Sequence, residues 1–278
     1  MEKRRLVMGI VVAVGVFSSA ALALPPMGRP MATLKQGQWD AGAEYGYTDM
    51  DLQADFKWEN IRPGVPPVSG KESTTLKDFK SNMFFGRLGY GVSDNWEAFL
   101  RLGAADVKMQ DGFDGGYGFA WGFGTKATFL KEDSVTWGGL FQVTWFNPGD
   151  DKLTDTETFT VGEGQVDVPI SGKGEVDWWE IQIAVGPTWQ TGNLCIYGGP
   201  FLHFLNGDYD EKLTGTLTTP GDVISKATAD IEQDSEFGGY VGAQWDLGTW
   251  IENASWSAEF QFTGDAWAFG TGMTWRLP

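Results

Sequence analysis

The chain is built on a period of two. From Trp39 onward large apolar side chains alternate with small or polar ones, and no stretch sustains a helical period. The fourth alternating segment is the plainest. Tyr117, Phe119, Trp121, Phe123, Ala127 and Phe129 share one face, with Gly118, Ala120, Gly122, Gly124, Lys126 and Thr128 opposite. Successive side chains of an extended strand point to opposite sides, so this pattern predicts strands with one greasy face. Ten segments read this way, beginning near Trp39, Phe84, Trp96, Tyr117, Val135, Val176, Leu194, Glu236, Ala254 and Ala266. Each covers roughly 10 to 15 residues, enough to cross a bilayer at a tilt.

Composition says which way the greasy faces point. The chain has 14 Trp, 19 Phe and 39 Gly in 278 residues, yet its mean hydropathy is only −0.23. Aromatics at this density on a water-exposed face would aggregate. The rival, a secreted β-sandwich or lipocalin-like barrel, would turn them inward and use shorter strands. The pattern therefore predicts lipid contact for Phe119, Trp121, Phe123, Trp137, Trp145, Trp189, Trp256, Trp267 and Trp275. A sheet edge cannot stay unpaired in hydrocarbon, so the sheet must close. The expected fold is all-β, a closed antiparallel up-and-down transmembrane β-barrel of ten strands, with eight and twelve as the alternatives.

The links agree with that reading. Ser93-Asp94, 131–134, 191–193 and 248–253 are short, whereas 49–77, 109–116, 147–175 and 206–235 are long. Gly264-Asp265 alone is short on the long side. Alternating short and long links with both termini on the short side are typical of bacterial outer-membrane barrels. Short turns and termini are then periplasmic and long loops extracellular. Stretches 153–161 and 212–219 also alternate but lack aromatics, and read as strands continuing above the membrane into long hairpins.

Export is written at the start. Lys3, Arg4 and Arg5 precede an apolar run from Leu6 to Phe17, and Ala21-Leu22-Ala23 offers a cleavage site. That order predicts a secretory signal peptide over 1–23, the run being too short for a spanning helix. A short periplasmic segment, 24–36, would follow, and then the barrel, 37–278. Removing 1–23 takes away three cations and Glu2, so the formal charge goes from −17 to −19. Such a chain repels nucleic acid. No Cys follows the cleavage site to carry a lipid anchor, and Cys195, the one cysteine, cannot form an intrachain disulfide.

With these segments in view, the chain resembles the small outer-membrane barrels of the OmpA-like and OmpX-like class, over nearly all of its mature length. The resemblance rests on pattern. It implies outer-membrane localisation in a Gram-negative cell envelope, outer-membrane lipids as surroundings, and insertion by the barrel assembly machinery. That machinery reads a terminal aromatic, whereas this chain ends Trp275-Arg276-Leu277-Pro278. No plug or peptidoglycan-binding domain is expected.

Chemistry is sparse. His203 is the only histidine. Barrel proteases of the omptin type use an Asp-x-His pair, but Phe201 stands two before His203, and no serine lies at a telling spacing. No catalytic residue, metal ligand or cofactor is therefore expected. Asn206 to Glu211 begins like a calcium loop but lacks the later Gly and Glu. It reads as an acidic solvated loop, as does 147–175 with Asp150, Asp151, Asp155, Glu157, Glu163 and Asp167. Divalent cations and lipopolysaccharide are the candidate partners of these loops. The Gly-Gly pairs at 115–116, 138–139, 198–199 and 238–239 read as wall bends.

The inward parity carries charge. Counting from the Ser93-Asp94 turn, Arg87 and Arg101 fall opposite each other, with Lys126 near the same level and Glu44 and Glu259 across the lumen. These five are expected to form a cross-lumen network that closes the barrel, since an unpaired buried charge costs several kcal/mol. Ten strands lie close to the eight whose interior fills, and far from the sixteen of porins. The expected function is thus a structural or interaction scaffold with acidic extracellular loops and a charge-plugged lumen. The alternatives are a narrow porin-like channel for small solutes or cations and, last, a barrel-embedded hydrolase.

Overall fold

The alternation that begins at Trp39 does become a ladder of antiparallel strands, and the ladder closes on itself. In the computed structural model the described residues are 24–62, 64–109, 113–161, 164–217, 221–233, 235–248 and 250–278. The predicted signal peptide, 1–23, and Glu163 lie outside them. Twelve strands form among the described residues: β1 (Trp39–Arg62), β2 (Val65–Ser93), β3 (Trp96–Lys108), β4 (Asp114–Glu132), β5 (Val135–Asn147), β6 (Asp151–Val161), β7 (Gly164–Thr191), β8 (Leu194–Leu217), β9 (Gly221–Gln233), β10 (Phe237–Asp246), β11 (Ala254–Phe262) and β12 (Ala266–Arg276). Ten of them pair in an unbroken ring, β1-β2-β3-β4-β5-β7-β8-β10-β11-β12, and β12 returns to β1 from Asp40↔Arg276 to Met50↔Ala266. The other two, β6 and β9, pair above it.

Five strands outrun the expected 10 to 15 residues, β4 with 19 and four that are longer still. β1 and β8 have 24 residues, β2 has 29 and β7 has 28. They continue as a six-stranded sheet, β6-β7-β8-β9-β1-β2, that rises from one side of the ring. The links expected as loops at 49–77, 147–175 and 206–235 are therefore mostly strand. This corrects the acidic-loop reading as well: 206–211 lies within β8, paired on both sides. The sheet's backbone is satisfied in its own ladder, and its buried face is lined by small, scattered apolar residues such as Ala54, Val168, Ile170 and Leu213, which lack the aromatic contrast of the girdled strands.

The outer wall has three zones. Near the short turns Trp39, Tyr90, Trp96, Trp137, Trp189, Trp245 and Trp256 stand exposed. At the other rim come Phe84, Tyr117, Phe119, Trp121, Trp179, Phe237, Phe262 and Trp267. Between them the exposed residues include Leu88, Leu100, Phe123, Ile183, Val185, Ile196, Val241 and Phe260. All nine predicted aromatics face outward, Trp145 by stacking on Trp121 with centroids 4.4 Å apart. Trp121 belongs to the upper girdle.

Residues 24–36 differ most from expectation. Expected in the periplasm, most of them run inside the ring instead. Leu24, Met27, Ala32 and Leu34 are buried there, and the chain leaves at the short-turn rim, where Gly37 N–H donates to the Gly91 carbonyl. The wall is hollowed to admit them. A Cβ on Gly138 would stand 2.6 Å from the Pro30 carbonyl oxygen and Met31 Cα, so this glycine is a seat for the inner segment as much as a bend.

Candidate functional site

Among the described residues, the lumen is where buried polar groups concentrate, and they form layers. The lowest holds the cations. Arg87 on β2 and Arg101 on β3 are direct cross-strand partners. Arg87 Nη1 donates to both Asp40 oxygens, at 2.8 and 2.9 Å, and Nη2 donates to Glu97 Oε1 at 3.2 Å. Glu44 sits between the two arginines, 2.7 Å from Arg101 Nε and 3.9 Å from Arg87 Nε. The Arg101 contact is an ion pair in which the N–H does not point along the contact. Phe99, at the inward position between Glu97 and Arg101, lies under all three cations: Arg87 at 4.8 Å, Arg101 at 4.9 Å and Lys126 at 5.6 Å from its centroid. An aromatic face attracts cations, so Phe99 eases the crowding of like charges.

A belt of amides follows. Arg101 Nη1 donates to Gln142 at 3.0 Å, Gln142 to Gln182, Gln182 to Gln261 at 2.8 Å, and Gln261 to Glu259 at 2.8 Å. The belt thus spans β3, β5, β7 and β11. Above it Glu180 Oε2 and His203 Nε2 meet at 2.6 Å, both fully buried. Higher still the lumen is apolar: Phe146 stacks on Trp178 at 4.8 Å, and Phe79 and Phe85 meet this pair edge-on.

The inner segment is bolted to these layers by its backbone. Leu24 N–H donates to Thr48, and Met27 and Gly28 N–H donate to the two oxygens of Glu259 at 2.9 and 2.8 Å. Ala32 N–H reaches Thr128 at 3.1 Å. Thr33 and Leu34 N–H reach Glu97 Oε2 at 2.7 and 3.2 Å. Pro25 and Pro26, which have no N–H to lose, turn carbonyls to Gln261 (3.1 Å) and Arg101. Arg29 Nη1 lies 3.4 Å from Cys195 Sγ. A lumen otherwise needing water is thereby filled with peptide whose donors and acceptors match the wall.

Four of the five predicted lumen charges, Glu44, Arg87, Arg101 and Lys126, come together at one level. Glu259 does not join their ion pairs; its carboxylate serves the inner segment. Sequence reasoning missed Asp40, Glu97 and Phe99 as partners, although all three share the inward parity. It also missed the glutamines and segment 24–36, whose signal was its apolar spacing, Leu24, Met27, Met31 and Leu34. His203 is bonded to a carboxylate. Among the described residues no three His, Cys, Asp or Glu side chains are grouped to hold a metal ion. Asp150 pairs with Lys173, and Asp151 accepts the Asp114 N–H at 2.8 Å. A cavity of about 500 Å³ remains at the short-turn mouth, bordered by Arg29, Leu34, Asp94, Cys195, Asp246 and Arg276.

No family model matches the chain, and no curated protein matches it. Among solved structures it is similar to the outer membrane protease OmpT from Escherichia coli, at 9% identity and a TM-score of 0.46, covering 88% of this chain and 99% of that one. The translocator domain of the autotransporter NalP from Neisseria meningitidis is 12% identical with a TM-score of 0.39, covering 99% and 95%. Outer membrane protein OprG from Pseudomonas aeruginosa is 10% identical with a TM-score of 0.35, covering 87% and 97%.

Proposed function

We propose that the chain is a self-plugged barrel of a bacterial outer membrane, acting as a structural or interaction scaffold that holds a six-stranded sheet outside the cell. One observation carries this reading: the ring wears two aromatic girdles around an aliphatic band, while beyond the cavity at its short-turn mouth its lumen is occupied by its own side-chain layers and segment 24–36. Girdles of this kind sit at the two membrane interfaces. From Trp137 to Trp145 and from Trp275 to Trp267 the girdles are about eight residues apart, which at a tilt of about 40° spans roughly 20 Å, close to the hydrocarbon band of such barrels. A filled lumen supports a scaffold over a steady channel.

The second reading, a narrow channel, is favoured by one feature only. Segment 24–36 is held by hydrogen bonds and packing, so it is separable in principle from the wall. Planar-bilayer recording tests both. Wild-type protein should be silent and the variant lacking 24–36 should conduct. Steady wild-type conductance would replace the scaffold by the channel. Boiling should retard or advance the band on a gel, because a closed ladder resists detergent until heated. Recovery as a soluble periplasmic protein would overturn the membrane placement itself.

A further inference from the structure

A cavity of about 260 Å³ opens on the outer wall, its lining shared with the lumen residues Phe146 and Trp178. It opens at the upper girdle where β5 leaves the ring, the β4–β5 ladder ending at Phe119↔Asn147 and the β5–β7 ladder at Phe146↔Trp178. Its walls are indoles. Trp121 and Trp145 stack with centroids 4.4 Å apart and planes at 12°, and Trp179 is the cross-strand partner of Trp145. Its roof is acidic. Asp177 and Asp208 are direct cross-strand partners, and the row continues through Asp230 to Asp55.

Like charges directly opposite one another destabilise a sheet. Three of these four carboxylates are answered within the chain: Asp177 by the Asn147 amide, Asp230 by Lys57 at 2.8 Å, and Asp55 by the Ser73 hydroxyl. Asp208, which lines the cavity, has no such partner among the described residues. A carboxylate beside exposed indole faces is the combination that attracts an organic cation, since the ring quadrupole and the acid act in the same direction. A hard divalent ion would need a cage of oxygen ligands, and that grouping is not formed here. Directly below the cavity the wall is Phe123 and Ile181 with Val143 buried between them, two residues beyond each indole on the outward face, a surface suited to a hydrocarbon chain.

We propose that this cavity binds the ammonium headgroup of an amphiphilic lipid whose tail lies along the aliphatic band beneath it. The proposal rests on the membrane placement above, and heat-modifiable gel mobility reports on that placement separately, in every variant. The test is calorimetric titration of the full mature chain in micelles of an uncharged oligoethylene-glycol detergent. Dodecyltrimethylammonium should bind saturably, and Asp208→Asn or Trp145→Leu should weaken it about tenfold. Glu132→Gln, which removes an exposed acid at the other rim, should change nothing. Three outcomes would overturn the proposal. Equal binding of dodecyl maltoside would show that charge is irrelevant. Equally tight tetramethylammonium would show a site for free cations rather than a lipid. Unchanged binding in a folded Asp208→Asn variant would place the ligand elsewhere.

Discussion

At the scale of single residues, Glu97 is the hinge of the polar lumen. One oxygen answers Arg87 and the other answers the backbone of Thr33 and Leu34, so it ties wall to inner segment. Removing one member of a buried pair leaves the other charge uncompensated, at a cost of about 3–5 kcal/mol. Glu97→Gln should therefore lower the melting temperature seen by heat-modifiable mobility far more than Glu132→Gln, and equal midpoints would deny Glu97 this role. The outward parity gives a second prediction. Leu100 lies in the aliphatic band and Trp121 in the upper girdle. An arginine in mid-bilayer costs about 2–4 kcal/mol in such barrels and near the interface about 0–1. Leu100→Arg should impair assembly where Trp121→Arg is tolerated, and the reverse order would put the band at the wrong height.

Among the elements, segment 24–36 decides whether the ring is a tube or a solid post. Its fit depends on missing side chains in the wall, most plainly at Gly138, where any Cβ would press on Pro30 and Met31. Gly138→Val should push the segment off its seat without breaking the ring. Amide hydrogen exchange reads this directly. Met27, Gly28, Thr33 and Leu34 should exchange slowly in the native protein and orders of magnitude faster in the variant, with the amides of β5 still protected. Protection unchanged throughout would mean that the segment is held by something other than this seat. The long strands behave differently. The small apolar cluster of Val168, Ile170, Leu213 and Val223 gives the upper sheet a core of its own, so its strands do not depend on lipid.

For the whole molecule, orientation is the property that the girdles and the turn lengths jointly determine. Buried Cys195 leaves a clean background for labelling. A cysteine replacing Ser69, on the exposed β1–β2 hairpin, should react with an impermeant maleimide on intact cells, and one replacing Asn193 only after the outer membrane is opened. The opposite pattern would invert the protein. Much of this architecture was legible beforehand because a period of two is a local property: the outward parity of Phe119, Trp121, Trp137 or Trp267 follows from immediate neighbours and needs no knowledge of the fold. The Arg87↔Arg101 pair was likewise readable by counting from a tight turn. Beyond the girdle the reading held for 153–161 and most of 212–219, which lie in β6 and β8, and failed for the rest. The stretch 66–75 is almost wholly exposed, so its period carries no apolar contrast, and only its pairing with β1 makes it a strand. Which residues meet across the lumen also escaped the sequence, because it depends on the shear of the closed ring. Glu259 shares a parity with Glu44, yet the ring sets it against the amides of Met27 and Gly28. What the sequence determined alone was the facing of each side chain, which is settled residue by residue. What only the tertiary structure decided was that the lumen is occupied by the chain's own segment 24–36, because enclosure is a property of the closed ring and of no segment within it.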